Sequence, residues 1–177
     1  MRARIRGAAI AAVTMGLVLG MLSSAHARAR RLPPKAAKAV KKAFPNAKIV
    51  DTELENENGV KLYEVTVVDD DRRFEVTVSP QGTLVEIEND VPVKDLPGPV
   101  VKTVAKHAKG GRITEAEKVE ARAVVKAGKL VKLDKPRTFY EIEVRKGGKE
   151  LEINVLPDGT LLGRPRWDDD DDDDDDD

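Results

Sequence analysis

The sequence contains no cysteine, and this absence excludes several kinds of protein chemistry. It rules out a disulfide scaffold, a thiolate zinc site, a cysteine nucleophile and a lipid-modified N-terminal cysteine. Aromatic residues are also scarce, at 3% of 177 residues, whereas hydrophobic residues make up 40%. A chain of this length suits one ordinary domain or two small ones. Aliphatic side chains must therefore supply the core, and packing alone must stabilise it.

The formal net charge of −1 hides two regions of opposite charge. Ten consecutive aspartates, residues 168–177, end the chain, and without them 22 of the 32 acidic residues remain against 31 basic ones. Three of those basic residues, Arg2, Arg4 and Arg6, lie in the N-terminal segment, which leaves a charge of +6 for the rest. A mildly basic body thus precedes a strongly acidic tail.

Residues 1–27 have the order of features of a bacterial secretory signal peptide. The three arginines precede an apolar run from Ala8 to Leu22, and small residues follow up to Ala27. The apolar run has about 15 residues, fewer than the roughly 20 that span a bilayer. We therefore predict cleavage near Ala27 and an extracytoplasmic destination, periplasm or medium, with no stable membrane span left. An uncleaved N-terminal anchor is the alternative.

The rest of the chain carries one pattern twice, which indicates a duplication. The sequence YEVTV at 63–67 matches YEIEV at 140–144, and PQGTL at 80–84 matches PDGTL at 157–161. At the start of the two copies, matching residues are 64 positions apart, whereas at these motifs they are 77 positions apart. The second copy therefore holds 13 extra residues, between about Glu117 and Arg137.

Each copy predicts an N-terminal helix packed on one face of a four-stranded antiparallel sheet, an α+β fold. Apolar residues follow helical spacing first and then alternate with polar ones, as in strands with one buried face. A copy of about 60 residues is marginal alone, so we expect the two to pack together, as one continuous sheet with both helices on one side. The extra residues are predicted to lengthen the first hairpin of the second copy. The predicted strands are 48–56, 60–68, 72–79, 83–88, 112–125, 137–146, 149–156 and 159–163.

The two copies resemble the PepSY-like family, whose members are exported bacterial proteins grouped as β-lactamase-inhibitor-like. The helix, the F-P-[NG]-A-x-I exit at Phe44, Y-E-[VI]-x-V and P-x-G-T-L carry the resemblance from Leu32 to Leu162. The second copy departs from it in lacking Phe-Pro after its helix and in its insertion. The resemblance implies repeats at 28–90 and 91–163, flanked by the signal peptide 1–27 and a disordered poly-Asp tail 164–177. It also implies binding or inhibition of a partner protein.

The inhibitor resemblance directs attention to the outward face of the sheet and to exposed aromatic anchors. Periodicity assigns Phe44, Tyr63, Phe74 and Tyr140 to the core. Phe139 and Trp167 are left as the exposed candidates. The predicted partner-binding residues are these two together with Glu64, Glu75, Glu141 and Glu143.

Catalytic machinery is not predicted. After residue 27 the chain has a single serine, Ser79, and a single histidine, His107, with no nucleophile motif around them. His107 fits an interaction with the C-terminal end of its helix or a half-buried ring against the sheet. The carboxylate pairs Glu86/Glu88 and Glu115/Glu117 are expected to be solvated on an open sheet face rather than to act as a catalytic pair. No cofactor is predicted apart from weak Ca²⁺ binding.

Two charged features stay open to two interpretations each. The helix lysines form a solvated face or attract an anionic polymer, although nucleic acid is disfavoured by export and by the lack of stacking aromatics. The tail either solubilises the protein or binds Ca²⁺ weakly through residues that include Asp168, Asp169, Asp170, Asp171 and Asp172. The turn at Asp69–Asp71 is a charged hairpin turn or a satellite cation site.

The leading hypothesis from the sequence is an exported, non-enzymatic module that binds an unknown extracytoplasmic protein, such as a peptidase. The alternative is a protein that interacts with Ca²⁺, a mineral or another cation through its poly-Asp tail. An enzyme is a distant third.

Overall fold

The computed structural model describes residues 31–167, and the predicted signal peptide lies outside that range. Two helices and eight strands follow one another in two similar series. The first series is α1 (Pro34–Ala43), β1 (Lys48–Glu57), β2 (Val60–Asp69), β3 (Arg72–Val78) and β4 (Leu84–Asp90). A short 3-10 helix, Val93–Asp95, leads to the second series: α2 (Gly98–Ala108), β5 (Arg112–Lys126), β6 (Lys129–Lys146), β7 (Lys149–Val155) and β8 (Arg166–Trp167).

All eight strands form a single antiparallel sheet in sequence order, β1 to β8. The two series meet where β4 pairs with β5 through Glu88↔Val119, Asn89↔Lys118 and Asp90↔Glu117. The structure has the predicted α+β class and the predicted continuous sheet. The strands of the two copies therefore do not form two separate four-stranded sheets. Because residues paired across antiparallel strands share a face, the register also puts both helices on the same side of the sheet.

Each helix covers its own part of this side, which we call the helix face. Val40 of α1 packs in a buried cluster with Val65 and Val76. Val104 of α2 packs in a second cluster with Ile142. The predicted core aromatics Phe44, Tyr63, Phe74 and Tyr140 all join these two clusters, as the alternation of the strands required.

Proline begins both helices, since its fixed φ suits the first turn and its missing N–H has no partner there in any helix. α1 starts at Pro34, and α2 has Pro99 as its second residue. α2 ends at Ala108, and Lys109 caps it in the left-handed conformation, with φ of 47°. Neither helix, nor any other between residues 31 and 167, has the length and apolar character that a bilayer crossing requires.

The 13 extra residues of the second copy extend the β5–β6 hairpin, as predicted. β6 begins at Lys129, earlier than the predicted residue 137, because the insertion stays paired across the hairpin from Ala123↔Lys132 to Lys126↔Lys129. The pairing shifts between Ala121 and Ala123, where a bulge bends the strand. We call residues 121–137 the hairpin arm.

The hairpin arm bends past the ends of β3 and β4 and reaches the first hairpin of the chain. Its Ala123 and Val125 pack against Leu62 and Val85 in a buried cluster. At its tip, a Cβ on Gly128 would stand 3.4 Å from the carbonyl oxygen of Asn58. The two long hairpins thus meet on the side of the sheet that carries no helix.

The last predicted strand, 159–163, is wrong. Leu161 makes only an isolated bridge to Val155, and the short strand β8 follows at Arg166–Trp167. The chain turns away from β7 at Gly163, whose φ of 92° is incompatible with an extended strand. The poly-Asp tail was predicted to begin at residue 164, yet residues 166 and 167 pair with β7 through Glu152 and Leu151.

The repeated P-x-G-T-L motif forms the same turn twice, with its glycine pressed against a helix. Gly82 donates its N–H to Ser79 O, and Gly159 donates to Leu156 O, at 2.9 and 2.8 Å. Both glycines have φ of 88°. A Cβ on Gly82 would lie 2.6 Å from the carbonyl oxygen of Lys35 in α1, and one on Gly159 would lie 2.9 Å from that of Pro99 in α2. The motif therefore lets the turn pack under the start of each helix.

This packing predicts that Gly82→Ala destabilises the fold more than Gly59→Ala does. Gly59 has a similar φ of 84°, but nothing lies within 4 Å of the place its Cβ would take. Both substitutions add backbone strain, and only the first adds a clash with backbone atoms. We expect urea unfolding to give Gly82→Ala a free energy of unfolding about 2 kcal/mol lower than that of Gly59→Ala. Equal values for the two variants would show that the turn does not press on α1.

Candidate functional site

The side of the sheet opposite the helices carries a dense set of carboxylates. Register puts them together: Glu64 pairs with Thr77, Glu75 with Glu88, and Glu141 with Asn154, each pair on this side. We call this surface the acidic face. Its glutamates are Glu53, Glu55, Glu57, Glu64, Glu75, Glu86, Glu88, Glu115, Glu117, Glu141, Glu143, Glu150 and Glu152.

The acidic face is the inside of a curved sheet. The carboxylates of Glu57 on β1 and Glu152 on β7 both raise the pKa of Glu86 on β4, although each of those strands lies three places from β4. Contacts at one end show the curvature directly: Leu62 and Val85 pack with Ala123 and Val125 of the hairpin arm, and Gly128 at its tip lies against Asn58. The face is therefore concave there, and the hairpin arm together with the β1–β2 hairpin encloses that end.

Because the face is concave, water has limited access to its carboxylates, and their pKa values rise. Burial, followed by neighbouring carboxylates, raises the pKa of Glu86, Glu88 and Glu117 to about 8 each. Burial also raises the pKa of Glu64 to about 10, and Glu55 adds to this through a hydrogen bond and its charge. The pKa of Glu141 is well above its usual range for the same first reason, burial. A carboxyl group with such a pKa holds its proton at neutral pH.

Two threonines of the face donate to its glutamates. The hydroxyl of Thr66 donates to Glu75 Oε1 at 3.3 Å, and that of Thr77 donates to Glu88 Oε1 at 3.4 Å. Two acceptor atoms are left over. Oε1 of Glu55 and Oδ1 of Asn154 are shielded from solvent and accept no hydrogen bond from any residue between 31 and 167. Both lie on the acidic face, since Glu55 pairs with Leu62 and Asn154 with Glu141.

The centre of the face brings carboxylate oxygens close enough to share one cation. Oxygens of Glu75, Glu88 and Glu117 lie within 4.8 Å of one another, and so do those of Asp90, Glu115 and Glu117. Oxygen ligands of this kind suit a hard divalent cation such as Ca²⁺. The first trio comes from three neighbouring strands, β3, β4 and β5, and the second from two, β4 and β5.

Several basic residues of this face lie near the ends of the strands, and Arg137 lies within β6, opposite Ala121 at the base of the hairpin arm. The register puts Lys48 at the start of β1, Arg73 at the start of β3, and Arg112 and Arg145 together at the far end of β5 and β6. The guanidinium of Arg145 is bound by Glu150. Ion pairs within 4.0 Å join Asp69 to Arg72, Glu120 to Arg122 and Arg145 to Glu150, and none of these three involves Glu75, Glu88 or Glu117.

The structure separates the predicted partner-binding residues into two groups. Glu64, Glu75, Glu141 and Glu143 all lie on the acidic face, but they are half-buried rather than solvated. Phe139 was predicted to be an exposed anchor, and that prediction is wrong: the side chain is 1% exposed and packs with Val119 and Ala121. Trp167 is half-buried on β8, where it packs against the second core cluster.

The predicted cation ligands Asp168–Asp172 lie outside the described residues. The other predicted cation position, the turn at Asp69–Asp71, has Asp70 in the left-handed conformation with φ of 54° and Arg72 near Asp69, at 3.9 Å. This geometry is that of a charged hairpin turn.

The two side chains considered for catalysis do not meet. Ser79 is 2% exposed, and its hydroxyl accepts the N–H of Thr83 at 3.0 Å, so it helps to form the turn after β3. His107 is half-buried in the last turn of α2, in the other series of elements.

Glu88 and Glu117 are residues of the face that the sequence alone did not single out as a site. Each lies two positions from a second glutamate, Glu86 and Glu115 respectively, so the spacing predicts that each pair shares one face of its strand. The expectation that they are solvated was wrong, because it assumed an open, flat sheet. The long insertion in the second copy was the available signal that something could cover this face.

Comparison with known families identifies both halves of the described chain. The model described as "Peptidase propeptide and YPEB domain", PepSY, matches residues 34–81. The model described as "Putative beta-lactamase-inhibitor-like, PepSY-like" matches residues 79–163. The chain carries a PepSY match followed by a PepSY-like match. The first match covers α1 to β3, and the second runs from the turn after β3 to the segment after β7. The comparison with curated proteins finds no match.

Solved structures share the fold of this chain. A BLIP-like protein from Bacteroides fragilis is 21% identical, with a TM-score of 0.55, and the alignment covers 81% of this chain and 93% of that one. A DUF2874 family protein from Bacteroides uniformis gives 19% identity, a TM-score of 0.58, and coverage of 76% and 88%. A "putative periplasmic" protein from Bacteroides eggerthii is 18% identical, with a TM-score of 0.57, and the alignment covers 77% of this chain and 89% of that one. At these identities the likeness concerns the fold.

Proposed function

We propose that this protein is an exported, non-enzymatic binding module that binds, and thereby inhibits, an envelope or secreted protein such as a peptidase. The observation that carries the proposal is the concave acidic face. Both helices lie on the other side of the sheet, so the face remains available to a partner along its centre. Its half-buried glutamates are held at fixed positions by strand register, as recognition of a specific surface requires.

The family matches support the same class of function. One model is named for peptidase propeptides and the other for β-lactamase inhibitors, and both names describe proteins that act on a partner protein. The extracytoplasmic location rests on the signal-peptide pattern of residues 1–27 and on the periplasmic description of the B. eggerthii protein. The buried Ser79 and the separate His107 give no support to a hydrolase.

A second candidate function is cation binding, and the trio Glu75, Glu88 and Glu117 favours it. In the form predicted from the sequence, the poly-Asp tail carries this function and the folded body only presents it. The two candidates differ in which part of the chain is needed, so one experiment separates them.

Capture from the organism's own extracytoplasmic fraction tests the proposed function. The baits are residues 28–177 and residues 28–167, which differ only in the tail, each with and without Ca²⁺ at physiological salt. We expect both baits to retain the same protein, to form a complex with it in gel filtration, and to lower its activity if it is a peptidase. Capture by the longer bait alone, lost on adding Ca²⁺, would replace the binding module with the tail-based alternative.

A further inference from the structure

The helix side of the sheet is strongly basic where α2 ends. Neither α1 nor α2 contains an acidic residue. Lys102 and Lys106 are exposed and four positions apart, so they lie on one side of α2, and Lys109 follows at its cap. Acidic residues lie near the other end of this helix, since Asp95 precedes it and Asp158 is part of the turn that packs under its start. The helix itself therefore does not balance the positive charge at its end.

The turn between β6 and β7 adds two lysines at the same place. Lys146 pairs with Lys149 across this turn. Both lie on the helix side, because they alternate in step with Val144 and Leu151, which are in the core under α2. The ammonium group of Lys146 donates to the carbonyl oxygen of Lys109, so the turn touches the end of the helix. Like charges directly opposite one another disfavour strand pairing, and an anion beside them offsets this repulsion. We call Lys102, Lys106, Lys109, Lys146 and Lys149 the lysine site.

The chain leaves the described residues beside the lysine site. β8 is antiparallel to β7, and Trp167 pairs with Leu151 and packs against the core cluster under α2. β8 therefore runs toward the beginning of β7, where Lys149 lies. Residues 168–177, all aspartate, continue from this point. Ten extended residues reach about 33 Å, whereas α2 is about 16 Å long, so the tail is long enough to follow the whole helix.

We infer that the poly-Asp tail, residues 168–177, docks on the lysine site of its own chain. Charge complementarity, the place where the chain ends and the direction of β8 all point to this occupant. The anionic polymer that the lysines of α2 attract is then the protein's own tail. The docked tail neutralises the basic helix side and leaves the acidic face, on the other side of the sheet, free for a partner. This contact goes beyond the proposed function and does not depend on it.

Strand register defines the first contact. The register of β8, continued by two residues, puts Asp169 opposite Lys149 on the helix side. Asp168 then lies opposite Glu150, whose carboxylate is bound by Arg145 and therefore repels it less. From Asp169 onward the tail follows the end of α2.

The lysines of α1 are the competing surface. Lys35, Lys38 and Lys42 are exposed and share one side of that helix. α1 packs over β3, five strands away from β8, which is about 24 Å at the spacing of paired strands. The tail passes α2, which packs over β6 and β7, before it can reach α1. We therefore expect its main contact at α2.

Paramagnetic relaxation measured by NMR on residues 28–177 tests the inference. The chain contains no cysteine, so Asp173→Cys provides a single attachment point for a nitroxide label in the tail. Backbone amide signals are compared with the label oxidised and reduced, because an unpaired electron weakens the signals of nearby amides. The site variant is Lys102→Gln, Lys106→Gln and Lys109→Gln. The matched control removes the same charge from exposed lysines of the hairpin arm: Lys126→Gln, Lys129→Gln and Lys132→Gln.

We expect the label to weaken the amide signals of residues 102–109 at least twofold at low salt, relative to those of the hairpin arm. Salt at 1 M, where the Debye length is about 3 Å, is expected to restore them. The site variant is expected to lose at least half of this effect, and the control variant to retain it. Equal loss in the two variants would overturn the inference, because net charge alone would then explain the contact. Signals weakened only at residues next to Trp167, or mainly in α1, would also overturn it.

A mixed sample distinguishes docking within one chain from docking between two. It combines isotope-labelled protein that lacks the nitroxide with nitroxide-labelled protein that lacks the isotope. We expect no loss of amide signal in this mixture. A loss at residues 102–109 would mean that the tail docks on a second copy of the chain, which contradicts the inference. Neither result depends on whether a partner is captured, so failure of the proposed function and failure of this inference are seen separately.

Discussion

The free energy of unfolding falls by about 3 kcal/mol between pH 5.5 and pH 8, with the acidic face as the cause. In the folded protein burial raises the pKa of Glu57 to about 7 and of Glu86, Glu88 and Glu117 to about 8. In the unfolded chain these groups titrate near 4.5. Between those values the folded state holds protons that the unfolded state has lost, so rising pH favours unfolding.

The sign and the size of this effect follow from linkage. The contribution of these groups is fully present below pH 4.5 and is lost as the pH rises through about 8. Each retained proton is worth about 1.4 kcal/mol per pH unit. The glutamates are half-buried and repel one another, so we count the whole face as about one retained proton after discounting for solvent screening.

Urea unfolding of residues 28–177 at pH 5.5, 7 and 8 measures this effect, and a variant isolates its source. Glu88→Gln with Glu117→Gln replaces two carboxyl groups by neutral side chains of the same shape. We expect this double variant to be more stable than the unchanged protein by a margin that grows from pH 5.5 to pH 8. A stability that rises with pH over this interval, or a variant with an unchanged profile, would contradict the buried character of the face.

Replacing Phe139 by alanine removes about 3–5 kcal/mol of stability, the usual cost of emptying a buried phenylalanine site. Its ring is 1% exposed and packs against Val119 and Ala121, with Leu133 of the hairpin arm beside them. Val131→Ala is the control on the same arm, because Val131 is 44% exposed. Its cost is expected to stay within about 0.5 kcal/mol.

Thermal unfolding measured by circular dichroism distinguishes the two roles of Phe139. A core role lowers the midpoint of Phe139→Ala and leaves that of Val131→Ala nearly unchanged. An anchor role, as the sequence predicted, would give Phe139→Ala a normal midpoint and a loss of partner capture. The second result would mean that the arm does not cover Phe139 in solution.

Local pattern was enough to predict most of the framework. Apolar spacing located both helices, and alternation at Tyr63–Val67 and at Tyr140–Val144 located the central strands and divided their side chains between two faces. The repeated P-x-G-T-L motif predicted two turns of the same kind, and the hydrogen bonds at Gly82 and Gly159 are the same. Alternation even put Phe139 on the face opposite the helices.

What the pattern could not predict depends on contacts between residues far apart in sequence. The approach of Gly128 to Asn58, 70 positions away, closes one end of the acidic face. The bulge near Ala121 bends the arm toward that contact. Periodicity reports which face a side chain shares, but it does not report what covers that face, and Phe139 is covered by Leu133, Leu156 and Leu162. The prediction of a fourth strand in the second copy, at 159–163, was wrong for a local reason instead, the positive φ of Gly163.

Site-specific photo-crosslinking tests most directly the claim that the acidic face is the binding surface. A photoreactive phenylalanine analogue is placed at Glu53, an exposed residue on the same side of β1 as Glu55, or at Val101, which is 41% exposed on the outer side of α2. Each protein is then used in the capture from the extracytoplasmic fraction. We expect a covalent adduct with the captured partner at Glu53 and none at Val101. An adduct at Val101 alone would assign binding to the basic helix side and contradict the account.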